Sequence, residues 1–244
     1  MTGSAQSFWE HVAELRKRLL ISMLALIGGT IACFGYAEPA ARFIIAPIGD
    51  ASLVVLSPPE LFMSYVRIAL LGGAVLASPV ALFQAWLFVR PGLERSERRS
   101  ILGALVSGAV FFLAGSAFAF AVVLPITVRF FLQFENDAIK AMFSFREYLG
   151  FVESLVLSFG IAFELPVVSL LLAALGIVKG SMLRSMRRYA ILVIFIAAAI
   201  LTPPDVVSQV VLALPLLALY EISVILAGVV ERKRARRAPA ELPG

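Results

Sequence analysis

The feature that most constrains this chain is a succession of apolar runs too long and too uniform for a soluble core. Leu19–Ala37, Ile68–Val89 and Ser100–Val128 contain no Asp, Glu, Lys or Arg. Each is of the length a helix needs to cross a hydrocarbon core of about 30 Å, which takes about 20 residues. Tyr148–Val178 is a fourth such run, interrupted by Glu153 and Glu164, and Tyr189–Leu201 and Val206–Val230 complete the set, the last carrying Glu221. Six spans in 244 residues, 61% of them hydrophobic and 15% charged, predict an all-α polytopic membrane protein.

The charges say which way the helices run. With both termini on the cytoplasmic side, sixteen of the 21 lysines and arginines fall on the inner face; the others are Arg42, Arg67, Arg129, Lys140 and Arg146. That asymmetry is the positive-inside pattern, and it predicts an N-in, C-in topology. The net charge of +5 is thereby explained without a nucleic-acid partner. Cys33 is the lone cysteine, which excludes a disulfide framework. An uncleaved first helix in a prokaryotic cytoplasmic (inner) membrane is expected.

Three regions follow. Residues 1–18 are a cytoplasmic amphipathic segment, with Phe8, Val12, Leu15 and Leu19 on one stripe and His11, Glu14 and Arg18 on another; it is expected to lie on the membrane surface. Residues 19–230 are the six-helix domain, and 231–244 a disordered basic tail. Outside the membrane, the stretch from Glu38 to Leu61, punctuated by Pro39, Pro47, Pro58 and Pro59, and the stretch from Pro125 to Glu147 are expected to pack as an external cap over the bundle. The second span repeats small residues at every fourth position (Ala69, Gly73, Ala77, Ala81, Ala85), and Gly115–Ala119 does so in the third. Such stripes let helix backbones approach closely in lipid. The fifth span has 13 residues, about 20 Å of helix. "TPPD" turns it directly into the sixth, a hairpin short enough to thin the bilayer.

Several chemistries are absent from the sequence. His11 is the one histidine, which rules out paired-histidine metalloprotease and Ser–His arrangements. No GxxxxGK[ST] loop occurs. No enzyme activity, metal or cofactor is expected. What remains is carboxylates. Glu14 and Glu97 sit among cations at the inner face and either neutralise neighbours such as Arg18, Arg98 and Arg99 or accept arginines from another chain, which carboxylates bind bidentately. Glu164, Asp205, Gln209 and Glu221 lie in or beside spans, where an ionisable group is expensive and marks function by default. Pro166 follows Glu164 and should kink that helix.

These same residues carry a resemblance. "HVAELRKRL", "ASPVALFQAWLFVRPGL" with "ERR" after it, "FGIAFELPV" and "LTPPDVVSQ" resemble the signature stretches of TatC, the multi-spanning receptor subunit of the twin-arginine protein translocase. They stand in that family's order over residues 8 to 230. The resemblance implies a cupped six-helix bundle that receives signal peptides with consecutive arginines on folded cargo. It assigns arginine binding to Glu14 and Glu97, with Arg16 and Arg18 positioning the first carboxylate and Arg98 and Arg99 flanking the second. Glu94, an addition in "LERSERR", either shares recognition or pairs with Arg98. The resemblance also implies docking of single-span TatA- and TatB-type partners at Glu164, Thr202, Pro203, Asp205 and Gln209, and a cap shaped by Pro47, Pro58 and Glu60. It further implies a homo-oligomer within the translocase, in contact with lipid and driven by the proton motive force. The competing reading is a proton-coupled small-solute transporter using Glu164, which would be expected to show paired discontinuous helices.

Overall fold

The computed structural model describes residues 3–49, 52–89, 98–134, 142–174, 176–201 and 206–237. Ten α-helices and two short strands make up this part of the chain: α1 (Gly3–Phe34), α2 (Ala37–Ile45), β1 (Ser52–Val54), α3 (Pro58–Val89), α4 (Arg98–Phe118), α5 (Leu124–Leu132), β2 (Met142–Ser144), α6 (Phe145–Ala162), α7 (Leu165–Ala174), α8 (Gly180–Ser185), α9 (Arg187–Leu201) and α10 (Val206–Arg237). Among the described residues, five stretches are long and apolar enough to cross a membrane: Trp9–Phe34, Pro58–Phe88, Ser107–Leu132, Phe145–Ala174 and Gln209–Arg232. α9, the expected fifth span, is a helix of 15 residues and falls short of that length. The chain divides into two compact units, Met1–Ala109 with Met142–Gly150, and Val110–Ala141 with Phe151–Gly244.

The first unit is organised by the pairing of α1 with α3. Its cause is the small-residue stripe. A Cβ on Gly73 would stand 2.5 Å from the Thr30 backbone nitrogen, and one on Gly29 would stand 2.9 Å from the Gly73 carbonyl oxygen. The two backbones touch there, and dispersion between them replaces the hydrophobic drive that lipid does not supply. Ala69 and Ala77 on the same stripe are buried. α3 holds Pro79 in its interior. Pro79 has no N–H for the Val75 carbonyl, and the Ser78 hydroxyl donates to that oxygen at 2.7 Å instead.

One expectation is corrected in this unit. The segment over residues 8 to 19 is not a separate surface helix, because α1 runs unbroken from Gly3 to Phe34; no proline stands between Trp9 and Phe34 to break it. The all-α reading holds, and beside the helices lies a short parallel ladder, in which Ser52, Leu53 and Val54 pair with Met142, Phe143 and Ser144.

The second unit packs α10 against α7, α8 and α9. The third span is interrupted by a π-helical turn, Ala119–Val123, whose end places the Leu124 N–H on the Ala119 carbonyl. Pro125 follows at the start of α5, where its missing N–H has no helical duty. The fourth span breaks at Phe163 and Glu164, as Pro166 predicts: Pro166 cannot donate to Ala162, where α6 ends. α7 then closes on Gly176, whose φ of 73° lets its N–H reach the Ala173 carbonyl while the Ile177 N–H reaches Leu172. α8 crosses α10 closely, since a Cβ on Gly180 would meet the Gly228 Cα at 2.5 Å. α10 carries the basic run to Arg237, so the expected tail from residue 231 begins as helix; its residues 238–244 lie outside the described residues.

Candidate functional site

Near its N-terminus α1 presents one face to α3, and on that face Glu14, Arg18 and His11 converge with Gln84 and Phe88. Glu14 and Arg18 are one turn apart, with Arg18 Nη2 donating to Glu14 Oε1 at 3.0 Å. The acid lies on the N-terminal side of the base, the better orientation for such a pair. Arg18 Nη1 donates in turn to Gln84 Oε1 at 3.1 Å, across 66 residues of sequence. The His11 ring lies 4.5 Å from that of Phe88. The side chains of Arg18 and Glu14 are 23% and 30% exposed, so the pair is half-buried and less screened than a surface ion pair. Glu14 Oε2 accepts no hydrogen bond among the described residues. The arrangement is a carboxylate with one oxygen held and the other open, beside a guanidinium pinned by a neutral amide.

Of the residues the sequence assigned here, the structure brings Glu14 and Arg18 together but not Arg16. Arg16 is exposed and lines a different face of α1, with Trp9, Val12, Ala13, Lys17, Leu20 and Ile21. The reason is helical phase, since residues two apart point to nearly opposite sides. Glu94 and Glu97 lie outside the described residues, and Arg98 and Arg99 begin α4. Gln84 is the residue that sequence reasoning missed. An amide within an otherwise uncharged span was the available signal, but only the facing of α3 on α1 gives it a partner.

The second group surrounds the break between α6 and α7. Glu164 is 9% exposed, and its Oε1 has no hydrogen-bond partner among the described residues. Gly115 admits the chain there: a Cβ on it would meet the Phe159 carbonyl oxygen at 2.5 Å and Phe163 at 2.7 Å. Gln209 Nε2 donates to the Phe195 carbonyl at 2.9 Å and ties α10 to α9. Glu221 is likewise engaged, pairing with Arg187 at 2.6 Å. Thr202, Pro203 and Asp205 lie outside the described residues.

The third group is the expected cap. Pro47 stands in a 3-10 turn, Ala46–Ile48, and Pro58 opens α3. Glu60 is 9% exposed and knits three segments: its carboxylate accepts the Leu56 N–H at 2.9 Å, the Arg146 N–H at 3.3 Å and the Ser144 hydroxyl at 3.5 Å. The Tyr148 hydroxyl donates to the Ile44 carbonyl at 2.7 Å.

Comparison with known proteins agrees over nearly the whole chain. Residues 10–215 match the family model described as Sec-independent protein translocase protein (TatC). The Sec-independent protein translocase protein TatC of Desulforapulum autotrophicum is 41% identical over 93% of this chain and 86% of its own. That of Magnetococcus marinus is 42% identical over 95% and 88%. A crystal structure of the twin-arginine translocase receptor TatC superposes with a TM-score of 0.83 at 38% identity, covering 90% of this chain and 99% of that one.

Proposed function

The chain belongs to the TatC family of Sec-independent protein translocase proteins, and from that premise we propose that Glu14 is one jaw of a clamp for the paired arginines of a signal peptide. The observation that carries this is the half-buried Glu14 carboxylate, with Arg18 on one oxygen and the other open. A guanidinium is a planar fork of donors that matches a carboxylate bidentately, and the match strengthens where the surroundings are of low dielectric. Arg18 alone would neutralise Glu14. Its second arm is engaged by Gln84, which holds Arg18 to one side of the carboxylate. Glu97 is the second jaw, flanked in sequence by Arg98 and Arg99, and Glu94 either shares the recognition or pairs with Arg98.

In this reading the six spans run N-in, C-in in the inner membrane of a prokaryote. Signal peptides of folded cargo arrive at the cytoplasmic face, and several copies of the chain work together in the translocase. Single-span partners of the TatA and TatB type dock near Glu164, whose unpartnered oxygen supports this. A polar group on such a partner would contribute about 1 kcal/mol in lipid. Thr202, Pro203, Asp205 and Gln209 belong to the same docking surface, while Pro47, Pro58 and Glu60 shape the external cap. Transport draws on the proton motive force. The solute-transporter reading has no observation in its favour and is set aside.

The test is crosslinking of a photoreactive twin-arginine signal peptide to this protein in membranes, comparing the wild type with Glu14→Gln, Glu94→Gln and Glu97→Gln. Loss in the first and third, with Glu94→Gln unaffected, is expected. Equal crosslinking in all four would sink the clamp.

A further inference from the structure

The face of α1 turned away from Glu14 and Gln84 has a build of its own. Trp9, Ala13, the pair Arg16–Lys17 and Leu20 follow one another at helical spacing, so they form a stripe along the axis. Ala13 is the smallest of them and leaves a dent between the Trp9 ring and Leu20, with Arg16 and Lys17 on its two flanks. Both cations are exposed, and neither is in an ion pair among the described residues. They are also the last charged residues on this face before the uncharged run that begins at Leu19. Beyond Leu20 the stripe continues as Leu24, Ile27 and Ile31, which are 67%, 49% and 71% exposed.

We propose that this face is a binding site for an anionic phospholipid, its phosphate held between Arg16 and Lys17 and its acyl chains lying along Leu24, Ile27 and Ile31. Three features favour a lipid over a peptide. The cations stand at the boundary between the polar and apolar parts of a spanning helix, which is the level of the phosphates. Trp9 stands about 11 Å before those cations on the same stripe, on the headgroup side, where its ring closes the far end of the dent. The apolar track below runs parallel to the helix axis for two to three turns, the direction in which lipid chains lie. Basic pockets at helix faces attract anionic headgroups in this way. The inference rests on the membrane-spanning reading and not on the signal-peptide clamp, so the two fail separately.

The experiment uses the full chain carrying Trp86→Phe, which leaves Trp9 as the one tryptophan, in nanodiscs of phosphatidylcholine with a minor fraction of phosphatidylglycerol. A pyrenyl acyl chain, an energy-transfer acceptor for tryptophan that acts over longer range than contact, is placed on one lipid or the other, and Trp9 fluorescence is read. Energy transfer per labelled lipid is expected to be at least about threefold stronger for phosphatidylglycerol. Arg16→Gln with Lys17→Gln should bring the two lipids to parity, and so should Ala13→Leu, which fills the dent without changing charge. Each variant is checked for a monodisperse elution profile. Parity in the parent protein overturns the proposal. So does a preference that survives Ala13→Leu, since diffuse attraction to a basic surface needs no dent. Shielding of Trp9 from both lipids would mean that a protein occupies the groove, and also overturns it.

Discussion

Glu14 and Glu60 are both half-buried or buried carboxylates on helices, and their hydrogen bonds separate their roles. Glu14 has one oxygen open among the described residues, so replacing it removes a charge that an incoming arginine would use. A hydrogen bond to a charged group is worth about 1.5–3 kcal/mol, and Glu14→Gln is expected to lower signal-peptide crosslinking at least tenfold. Gln84→Ala should lower it only a few-fold, since Gln84 acts by holding Arg18 aside. An unchanged Gln84→Ala would mean that the arginine needs no such restraint. Glu60 has both oxygens engaged, on donors from the Leu56, Ser144 and Arg146 positions. Glu60→Ala leaves two backbone N–H groups without their acceptor and should cost about 2–3 kcal/mol. That loss would register as earlier thermal unfolding in detergent and faster proteolysis near residue 56, with crosslinking at the inner face retained. Glu14 was legible in the sequence because its motif sits on consecutive residues. The work of Glu60 was not, because its donors on Ser144 and Arg146 lie more than 80 positions along the chain.

Elements were legible where their cause is local. The apolar runs identify the spans, Pro166 marks the break in the fourth, and the stripe through Gly73 marks a helix contact. Pro125 and its π-turn were not foreseen, since a proline at a helix interruption and one at a run's end look alike in sequence. The β1–β2 ladder was invisible for another reason, because three-residue strands carry no period and pair here across a separation of 90 positions. The α1–α3 contact offers a sharp test. Gly73→Val would force a side chain into the Thr30 backbone, where even a Cβ would stand at 2.5 Å. Overpacking costs about 1–3 kcal/mol when neighbours can yield, and backbone yields less than side chains. The expected result is a clear fall in the unfolding temperature of the purified protein. Gly28→Ala, next to the contact in sequence but with nothing within 4 Å of its added Cβ, should be neutral or stabilise by up to about 1 kcal/mol. Equal losses in both variants would mean that glycine matters here for something other than close approach.

At the scale of the whole molecule, what the fold does to the membrane turns on α9. Its 15 residues rise about 22 Å, some 8 Å less than a hydrocarbon core. The helix cannot simply slide to hide the deficit. Gln209 fastens its middle to α10 through the Phe195 carbonyl, and Arg187 fastens its start through Glu221. With α9 read as a span, as proposed, the bilayer thins at this hairpin or a partner covers it, and mismatch at a fraction of a kcal/mol per Å makes the local strain a few kcal/mol. If thinning lowers the barrier to cargo, then one added turn of leucines in α9 should reduce transport of a folded substrate about tenfold or more while leaving signal-peptide crosslinking intact. Such an insertion also pulls Arg187 from Glu221, so Arg187→Gln with Glu221→Gln, at native length, is the necessary companion. Transport by that companion should remain near wild type. Transport unimpaired by the longer helix would show that the deficit is accommodated without mechanical use, and a loss shared equally by the companion would assign the effect to the ion pair instead.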